Sequence, residues 1–156
     1  MREQLVMYGQ PSEVPNLEWA WVDERLGAAP AYWVIAQGSG QPHPRPVWGV
    51  WLDEVLYLSI GSPRINAALA RPTPVTIHLG SETDVVILEG TTAASSEAEG
   101  AVRSYNAKYD WDYRIAEYGA FTTVVPAKVM AWRSAGWAGR EGFTATGRWR
   151  FASHTV

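Results

Sequence analysis

The sequence predicts a mainly β protein, built as a small β-barrel with flanking helices. About seven or eight segments are short and either continuously apolar or alternating, which is typical of strands. Most of these segments are joined by hairpin-length loops, which favour antiparallel pairing over βαβ crossovers. The two or three helical segments occur too irregularly for a doubly wound sheet. A closed or partly closed barrel is therefore the expected architecture.

Length and composition limit the classes of function. The chain has 156 residues, of which 47% are hydrophobic, and this fits one domain with a full core. We expect residues 1–15 to form a lead-in and residues 16–152 to form a single domain. The formal net charge is −3 and there is no basic run, so no nucleic acid partner is expected. The lack of cysteine excludes disulfides and thiolate catalysis.

Targeting signals and metal-ligand patterns are also missing from the sequence. The N-terminal residues lack the apolar core of a signal peptide, and no run of about 18 consecutive apolar residues occurs. We therefore expect a soluble, cytoplasmic protein with no membrane partner. His43, His78 and His154 lie far apart without helical spacing, so no metal site is expected.

The chain begins with a predicted helix and strand. Apolar residues between Leu17 and Leu26 follow a helical period from Asn16 onward, and Gly27 is expected to end that helix. Tyr32–Ala36 is the first predicted strand.

A hairpin and a short helix follow. Val47–Leu52 and Val55–Ile60 are rich in β-branched and aromatic residues and flank Asp53-Glu54, which predicts a hairpin. Gly61 permits a turn, Ser62 is a good N-cap, and Pro63 suits the first position of a helix that continues to Ala70.

The Gly61-Ser62 turn has two interpretations. It either caps the helix only, or it presents free N–H groups to an anion. Arg64 in the first helical turn has the wrong sign for the helix dipole, and an anionic ligand would remove that conflict.

The second half continues the β pattern. A helix is predicted from a cap at Ser95 or Ser96 to Lys108, followed by an aromatic, acidic loop from Tyr109 to Tyr113. Five strands are predicted around them: Val75–Leu79, Asp84–Thr92, Phe121–Val125, Val129–Trp132 (the last two on either side of Pro126) and Ala145–Phe151.

No catalytic residue can be assigned from the pattern. No nucleophile elbow occurs. Asp53-Glu54 is best interpreted as a hairpin turn, Asp110 and Asp112 as a solvated loop, and His78 as a structural hydrogen-bonding group. An anion-binding turn, an arginine and nine tryptophans suit a protein that binds a flat, phosphate-bearing cofactor and lets it perform the chemistry.

Four ordered segments carry a family resemblance: residues 45–51, 59–64, 84–91 and 105–109, with residues 147–151 as a closing strand. On these segments the chain resembles the pyridoxamine 5′-phosphate oxidase-like FMN-binding split-barrel superfamily, and within it the branch of deazaflavin-dependent oxidoreductases. The resemblance implies a six-stranded antiparallel split barrel and a homodimer with its cofactor at the subunit interface.

The resemblance also implies a cofactor site. Pro46, Val47 and Trp48 would lie along the cofactor ring. The phosphate end would be held by Ser59, Ile60, Gly61, Ser62 and Arg64. Many relatives carry a lysine directly after this arginine, whereas this chain has Ile65 and then Asn66. Either Asn66 or Arg71 is expected to assist in its place.

The implied function is hydride transfer from reduced coenzyme F420, or alternatively FMN, to a small conjugated organic acceptor. The motifs at residues 84–90 and 149–151 favour the deazaflavin coenzyme F420, and the missing lysine favours FMN, which needs one phosphate pocket only. Tyr109, Trp111, Tyr113 and Trp149 are the expected walls of the substrate pocket. The alternative is a non-catalytic binding or carrier protein on the same barrel.

Overall fold

The structure is a computed structural model and describes residues 1–3, 6–7, 10–11, 14–36, 41–96, 98–136 and 142–152. His154 lies outside these residues. The strands are β1 (Arg2–Glu3), β2 (Val6–Met7), β3 (Gln10–Pro11), β4 (Tyr32–Ala36), β5 (His43–Leu52), β6 (Val55–Ser59), β7 (Pro74–His78), β8 (Asp84–Ser96), β9 (Phe121–Ser134) and β10 (Phe143–Arg150). The helices are α1 (Trp19–Ala28), α2 (Pro63–Ala68), α3 (Glu99–Tyr109) and α4 (Ile115–Tyr118).

Six strands form a closed antiparallel barrel. Their order is β9-β6-β5-β4-β7-β8, and β8 pairs with β9 again to close the ring. Strand β10 lies beyond the ring on β9, and β1 pairs with β10. The predicted fold class, a mainly β antiparallel barrel with flanking helices, is confirmed. Because β1 pairs with β10, the first residues of the lead-in are joined to the sheet.

The β5–β6 hairpin matches its prediction. Leu52 pairs with Val55 across a two-residue turn. Asp53 and Glu54 have φ values of 51° and 59°, as a type I′ turn requires at both central positions. These carboxylates are therefore turn residues.

Two predicted strands are one in the structure. Pro126 was expected to separate them, but β9 runs without interruption through it. On the facing strand, Glu89 lies opposite Lys128 and Gly90 lies opposite Pro126, so Ala127 is an extra residue in a bulge. The bulge accommodates a proline that cannot donate to the ladder.

The boundaries of α3 also differ from the prediction. Strand β8 continues to Ser96 because Ser96 pairs with Phe121, the first residue of β9. Helix α3 then begins at Glu99, and its N-cap is Ala98, which makes no side-chain capping bond. The predicted serine cap was wrong, since long-range pairing with β9 extends the strand into that region.

Helix α1 is shifted along the chain relative to its prediction. It begins at Trp19 because the Leu17 N–H donates to the Thr146 carbonyl (2.8 Å), which keeps the preceding residues extended. It continues through Gly27 to Ala28. Helix α4 was not predicted, since four residues are too few to show a helical period.

The core has two parts. The larger part fills the barrel and includes Tyr32, Leu56 and Leu88. The smaller part lies between the outside of the barrel and α3, where Val50 packs with Tyr105 and Phe121. Helix α3 is thereby fixed against β5, which carries the predicted ring-binding residues. No helix among the described residues has the length and apolar character needed to cross a membrane.

Candidate functional site

A pocket of about 260 Å³ opens where β5 and β6 meet the start of α2. Seven of the nine predicted cofactor-binding residues line it, and Arg64 and Asn66 do not. The lining consists of Arg45, Pro46, Val47, Trp48, Ser59, Ile60, Gly61, Ser62 and Tyr105. Register explains part of this convergence, because Trp48 pairs with Ser59 across the hairpin. We refer to this cavity as the Trp48 pocket.

The turn at the end of β6 is held by two side chains. The Ser62 hydroxyl accepts a hydrogen bond from the Ile65 N–H (3.5 Å), as an N-cap does. The Asn66 amide donates to the Ile60 carbonyl (2.7 Å). Asn66 therefore stabilises the turn by binding the backbone that precedes Gly61. At Gly61 itself, the space where a side chain would stand is open.

Positive charge collects beside the pocket. Arg64 lies with His43 and Gln41 in an adjoining pocket of about 200 Å³, while Arg45 lines the Trp48 pocket itself. Slight desolvation, together with the positive charges of Arg45 and Arg64, lowers the pKa of His43. Neither Arg45 nor His43 was among the predicted site residues, although Arg45 begins the first family motif.

Aromatic rings outside the lining of the Trp48 pocket pack against Trp48 itself. Trp48 is 48% exposed, and the Tyr109 ring stacks on it with centroids 4.8 Å apart and planes 8° apart. Trp111, 47% exposed, meets Trp48 edge-on at 6.2 Å. Tyr118 lies 6.3 Å beyond Trp111. Two of the four predicted substrate-wall residues, Tyr109 and Trp111, therefore lie beside the ring-binding residue.

The structure places the other two predicted wall residues in the core. Tyr113 stacks on Phe121 at 4.7 Å, and its hydroxyl donates to the Gly119 carbonyl (2.9 Å). Trp149 is 7% exposed and packs against Trp19 at 5.4 Å. Tyr105, which was not predicted, lines the pocket. Tyr105 lies one helical turn before Tyr109 on α3, and this spacing could have indicated that the two rings share one face of the helix.

Behind the Trp48–Tyr109 stack lies Lys108. Its ammonium group donates to the Gly49 carbonyl (3.0 Å) and to the Tyr32 hydroxyl (3.2 Å). Burial lowers its pKa to about 8. The Tyr109 hydroxyl accepts from the Gly49 N–H (3.0 Å) and lies 3.1 Å from the Pro30 carbonyl, to which it can donate. Lys108 and Tyr109 together fix the end of α3 to the backbone beside Trp48.

Gly49 itself lies in very close contact with the neighbouring strand β6. A Cβ atom there would lie 2.5 Å from the Tyr57 carbonyl oxygen on the neighbouring strand. Only glycine fits without movement of the backbone. The sequence shows a glycine after Trp48, but it does not show that Tyr57 and Leu58 lie against that glycine.

The site can thus offer a flat indole surface, a turn with open space at Gly61, and adjoining guanidinium groups. A planar ring would lie against Trp48, and an anionic group would be attracted to Arg45 and Arg64. Burial raises the pKa values of Tyr105 and Tyr109, so both hydroxyls stay neutral in this site.

Comparisons with protein-family models and with curated proteins find no match. Solved structures do resemble the chain. They include an FAD-binding protein from Mesorhizobium loti (TM-score 0.52, 15% identity, covering 85% of this chain and 93% of that one). An FAD-binding protein from Mycobacterium smegmatis has a TM-score of 0.53 and 14% identity, covering 88% of this chain and 100% of that one.

A third structure is a candidate pyridoxamine 5′-phosphate oxidase from Listeria innocua, with a TM-score of 0.52 and 16% identity, covering 72% of this chain and 93% of that one. At these identities the likeness concerns the fold. The fold is that predicted from the sequence motifs: this chain has a closed six-stranded antiparallel barrel and is similar in fold to these solved structures.

Proposed function

We propose that the chain binds a flavin-type cofactor in the Trp48 pocket and acts as an oxidoreductase through it. The observation that carries the proposal is the convergence of seven predicted residues, from β5, β6 and the following turn, on one pocket beside two arginines. Solved structures of the same fold include FAD-binding proteins, which supports a flavin-type ligand.

The residues present fit such a group. Trp48 is half-exposed and its ring is held by Tyr109, so a planar ligand meets a surface that is already oriented. Nothing lies within 4 Å of the position where a Gly61 side chain would stand, which leaves room for a phosphate near Ser62. Pro46, Val47 and Trp48 would hold the ring, and Ser62, Arg45 and Arg64 would hold the anionic end.

For the particular cofactor we propose the deazaflavin coenzyme F420, with FMN as the alternative. The basic groups Arg45, His43 and Arg64 extend over two adjoining pockets. A single phosphate uses one of these pockets, whereas the phospho-polyglutamate tail of the deazaflavin coenzyme would engage both. Arg45, which lines the Trp48 pocket, also supplies a positive charge that can compensate for the lysine that many relatives have and this chain lacks.

When bound in its reduced form, a flavin or deazaflavin supplies a hydride to a small conjugated acceptor, which also takes up a proton. The chain's own residues bind, orient and exclude water. The Trp48–Tyr109 stack fixes the orientation of one ring face, and Arg45 and Arg64 neutralise the anionic end. Tyr109 and Trp111 support the Trp48 ring through their own ring contacts with it.

We also propose a homodimer. Trp48, Trp111 and Tyr118 form a continuous aromatic patch beside the pocket, and each is about half exposed. Exposed aromatic clusters of this kind are typical of interfaces. A partner subunit on this patch would cover the ring site. Light scattering coupled to size-exclusion chromatography should show twice the chain mass, and a monomer at high micromolar concentration would contradict the dimer.

The cofactor experiment is a pair of calorimetric titrations of the purified protein, with FMN and with the deazaflavin coenzyme. Arg64→Ala should weaken binding of the preferred cofactor by about 1.5–3 kcal/mol, as expected for loss of a bond to a charged group. Arg103→Ala is the matched control, because Arg103 is exposed and its ion-pair partner among the described residues is Glu99 on α3. Absence of binding to either cofactor below about 100 μM would overturn the proposal.

Catalysis is tested separately from binding. Protein loaded with reduced cofactor is mixed with conjugated acceptors, and oxidation of the cofactor is followed by absorbance. Turnover above the rate in free solution supports the oxidoreductase. Tight binding with no turnover would instead support the alternative, a carrier that only holds the cofactor.

A further inference from the structure

The chain has two lysines, Lys108 on α3 and Lys128 on β9, and their amines have different kinds of partner. Lys128 forms an ion pair with the Glu89 carboxylate at 2.6 Å. Lys108 forms no ion pair with a carboxylate among the described residues. Both lysines are partly exposed. The two amines therefore differ in their partners more than in their access to solvent.

The partners of the Lys108 amine are neutral. Its Nζ atom donates to the Gly49 carbonyl (3.0 Å) and to the Tyr32 hydroxyl (3.2 Å). The Tyr32 hydroxyl donates in turn to the Leu26 carbonyl, so its oxygen is free to accept. The Nζ atom also lies 4.8 Å from the centroid of the Tyr32 ring and 5.3 Å from that of Tyr109. Residues from β4, β5 and α3 thus hold the nitrogen in one position.

The Lys108 amine can lose its charge and keep both hydrogen bonds. An uncharged lysine nitrogen has two N–H groups and one lone pair. The two N–H groups match the Gly49 carbonyl and the Tyr32 hydroxyl, which leaves the lone pair unused. Burial lowers the pKa of Lys108 to about 8, so about half of the amine is neutral at that pH. Lys108 is therefore a nucleophile in a fixed position.

The surroundings of Lys108 favour an amide as the product of its reaction. An amide is uncharged, which suits a position where burial opposes charge. It also keeps one N–H, which can still donate to the Gly49 carbonyl or to the Tyr32 hydroxyl. An imine formed with an aldehyde would have no N–H when neutral, and it would be a buried cation when protonated. An acyl group therefore fits this position better than an imine does.

From this geometry we propose that Lys108 is a site of covalent acylation by small activated acyl donors, either acyl phosphates or acyl thioesters. The lone pair of the Nζ atom attacks the acyl carbon, and an N–C bond forms. The bond from that carbon to the phosphate oxygen, or to the thioester sulfur, breaks. The leaving group departs with its electron pair, and the nitrogen releases a proton to solvent. The reaction consumes no oxidant and no reductant.

Acylation of Lys108 should also act on the Trp48 pocket. The amide has one N–H for two acceptors, so either Gly49 or Tyr32 loses its donor. Lys108 precedes Tyr109, whose ring stacks on Trp48 at 4.8 Å. We therefore expect acylation to hold the end of α3 less firmly and to weaken cofactor binding. This effect on the cofactor rests on the proposed function, whereas the acylation itself does not.

The experiment compares the two lysines in one protein without any cofactor. The whole chain is incubated with acetyl phosphate or, in a second arm, with acetyl-coenzyme A. Peptide mapping by mass spectrometry measures the initial rate of acetylation at Lys108 and at Lys128. At pH 8 an ordinary lysine amine is neutral in about one molecule in 250, against about one in two for Lys108. Because a weaker base is also a weaker nucleophile, we expect Lys108 to react about tenfold faster, not more.

Two further measurements test whether the fold causes this preference. The rate at Lys108 should level off above about pH 9, where its amine is largely neutral. Tyr32 and Tyr109, which face the amine, stay protonated there because burial raises their pKa values. In guanidinium chloride the unfolded chain should acetylate both lysines at rates within about twofold of each other, since both amines are then solvated.

A preference for Lys108 that disappears on unfolding supports the proposal, and the arm that produces it identifies the donor. Equal rates in the folded chain, or a preference for Lys128, overturn it. The link to the cofactor is tested with Lys108→Gln, which mimics the acylated side chain and should weaken binding about fivefold. Lys128→Gln is the matched control. If neither FMN nor the deazaflavin coenzyme binds the unsubstituted chain, the acylation site stands and only its link to the cofactor fails.

Discussion

Tyr109 stacks on Trp48 with 4.8 Å between ring centroids, and it bonds to the Gly49 backbone through its hydroxyl at 3.0 Å. One residue at the end of α3 therefore fixes both the ring and the backbone of the neighbouring strand. An offset stack of this kind contributes about 0.5–1.5 kcal/mol beyond the burial of its area. The orientation of Trp48 is thereby established before any ligand arrives.

Replacing Tyr109 should weaken ring binding in proportion to the loss of this stack. Tyr109→Ala removes the ring and is expected to reduce affinity for the preferred cofactor by about 1 kcal/mol, or roughly fivefold. Tyr109→Phe keeps the ring and loses only the hydroxyl bonds, so it should retain most of the affinity. Calorimetric titration measures both. Equal affinity of all three proteins would show that the stack does not prepare the site.

A side chain at Gly61 should block the anionic end of the Trp48 pocket without unfolding the chain. The site has open space there and no positive φ, so Gly61→Val is expected to fold normally. Its branched side chain would occupy the space proposed for the phosphate and lower cofactor affinity at least about tenfold. Gly27→Ala is the control, since Gly27 has equally open surroundings but lies in α1. If Gly61→Val binds the cofactor with unchanged affinity, the anionic group of the cofactor does not bind next to Gly61.

Gly49 should tolerate no side chain. Gly49→Ala introduces a Cβ atom 2.5 Å from the Tyr57 carbonyl oxygen, and the two strands must separate to relieve the overlap. We expect a loss of about 1–3 kcal/mol in the free energy of unfolding, measured by urea denaturation. Gly61→Ala, where a Cβ meets nothing within 4 Å, should cost far less. Equal costs at the two positions would contradict the close approach at Gly49.

Lys108 should make the stability depend on pH in the alkaline range. Burial lowers its pKa from 10.5 to about 8, so between these values the unfolded chain holds a proton that the folded chain has released. The free energy of unfolding should therefore rise as the pH is raised from about 8 to 9.5. Tyr32 and Tyr109 contact the ammonium group, and burial raises both of their pKa values, so they stay protonated over this range.

Urea denaturation at several pH values measures this dependence. The slope should stay below the limit of about 1.4 kcal/mol per pH unit, because Lys108 is only partly buried and water screens its charge. Lys108→Met removes the titrating group, and Lys108→Arg keeps the charge over the whole range. Both variants should lose the rise. If the free energy of unfolding of Lys108→Met still rises with pH over this range, the rise is caused by the titration of another group.

Local chemistry was enough to predict several parts of the structure. The Asp53-Glu54 turn, the Ser62 cap and the Tyr32–Ala36 strand depend on neighbours in sequence, and each is found where the pattern indicated it. The family motifs, taken in order, predicted the split barrel. Seven of the predicted cofactor-binding residues also line one pocket, because the hairpin that joins most of them is itself a local feature.

Predictions that depended on distant partners were less accurate. The serine cap before α3 was wrong because β8 pairs with β9 as far as Ser96. Pro126 did not divide β9, since a bulge against β8 absorbs it. In both cases a strand elsewhere in the chain overrode the local preference.

The aromatic residues show both what the local sequence predicts and what only long-range packing decides. Composition and motif order were sufficient to predict a β-barrel rich in indoles with an anion-binding turn. Composition and motif order could not predict which aromatic rings face solvent. Trp48 and Trp111 are exposed, whereas Tyr113 and Trp149 are buried. Burial depends on which elements cover each face of the barrel. Which face is covered is decided by the long-range packing of α1 and α3 on the sheet.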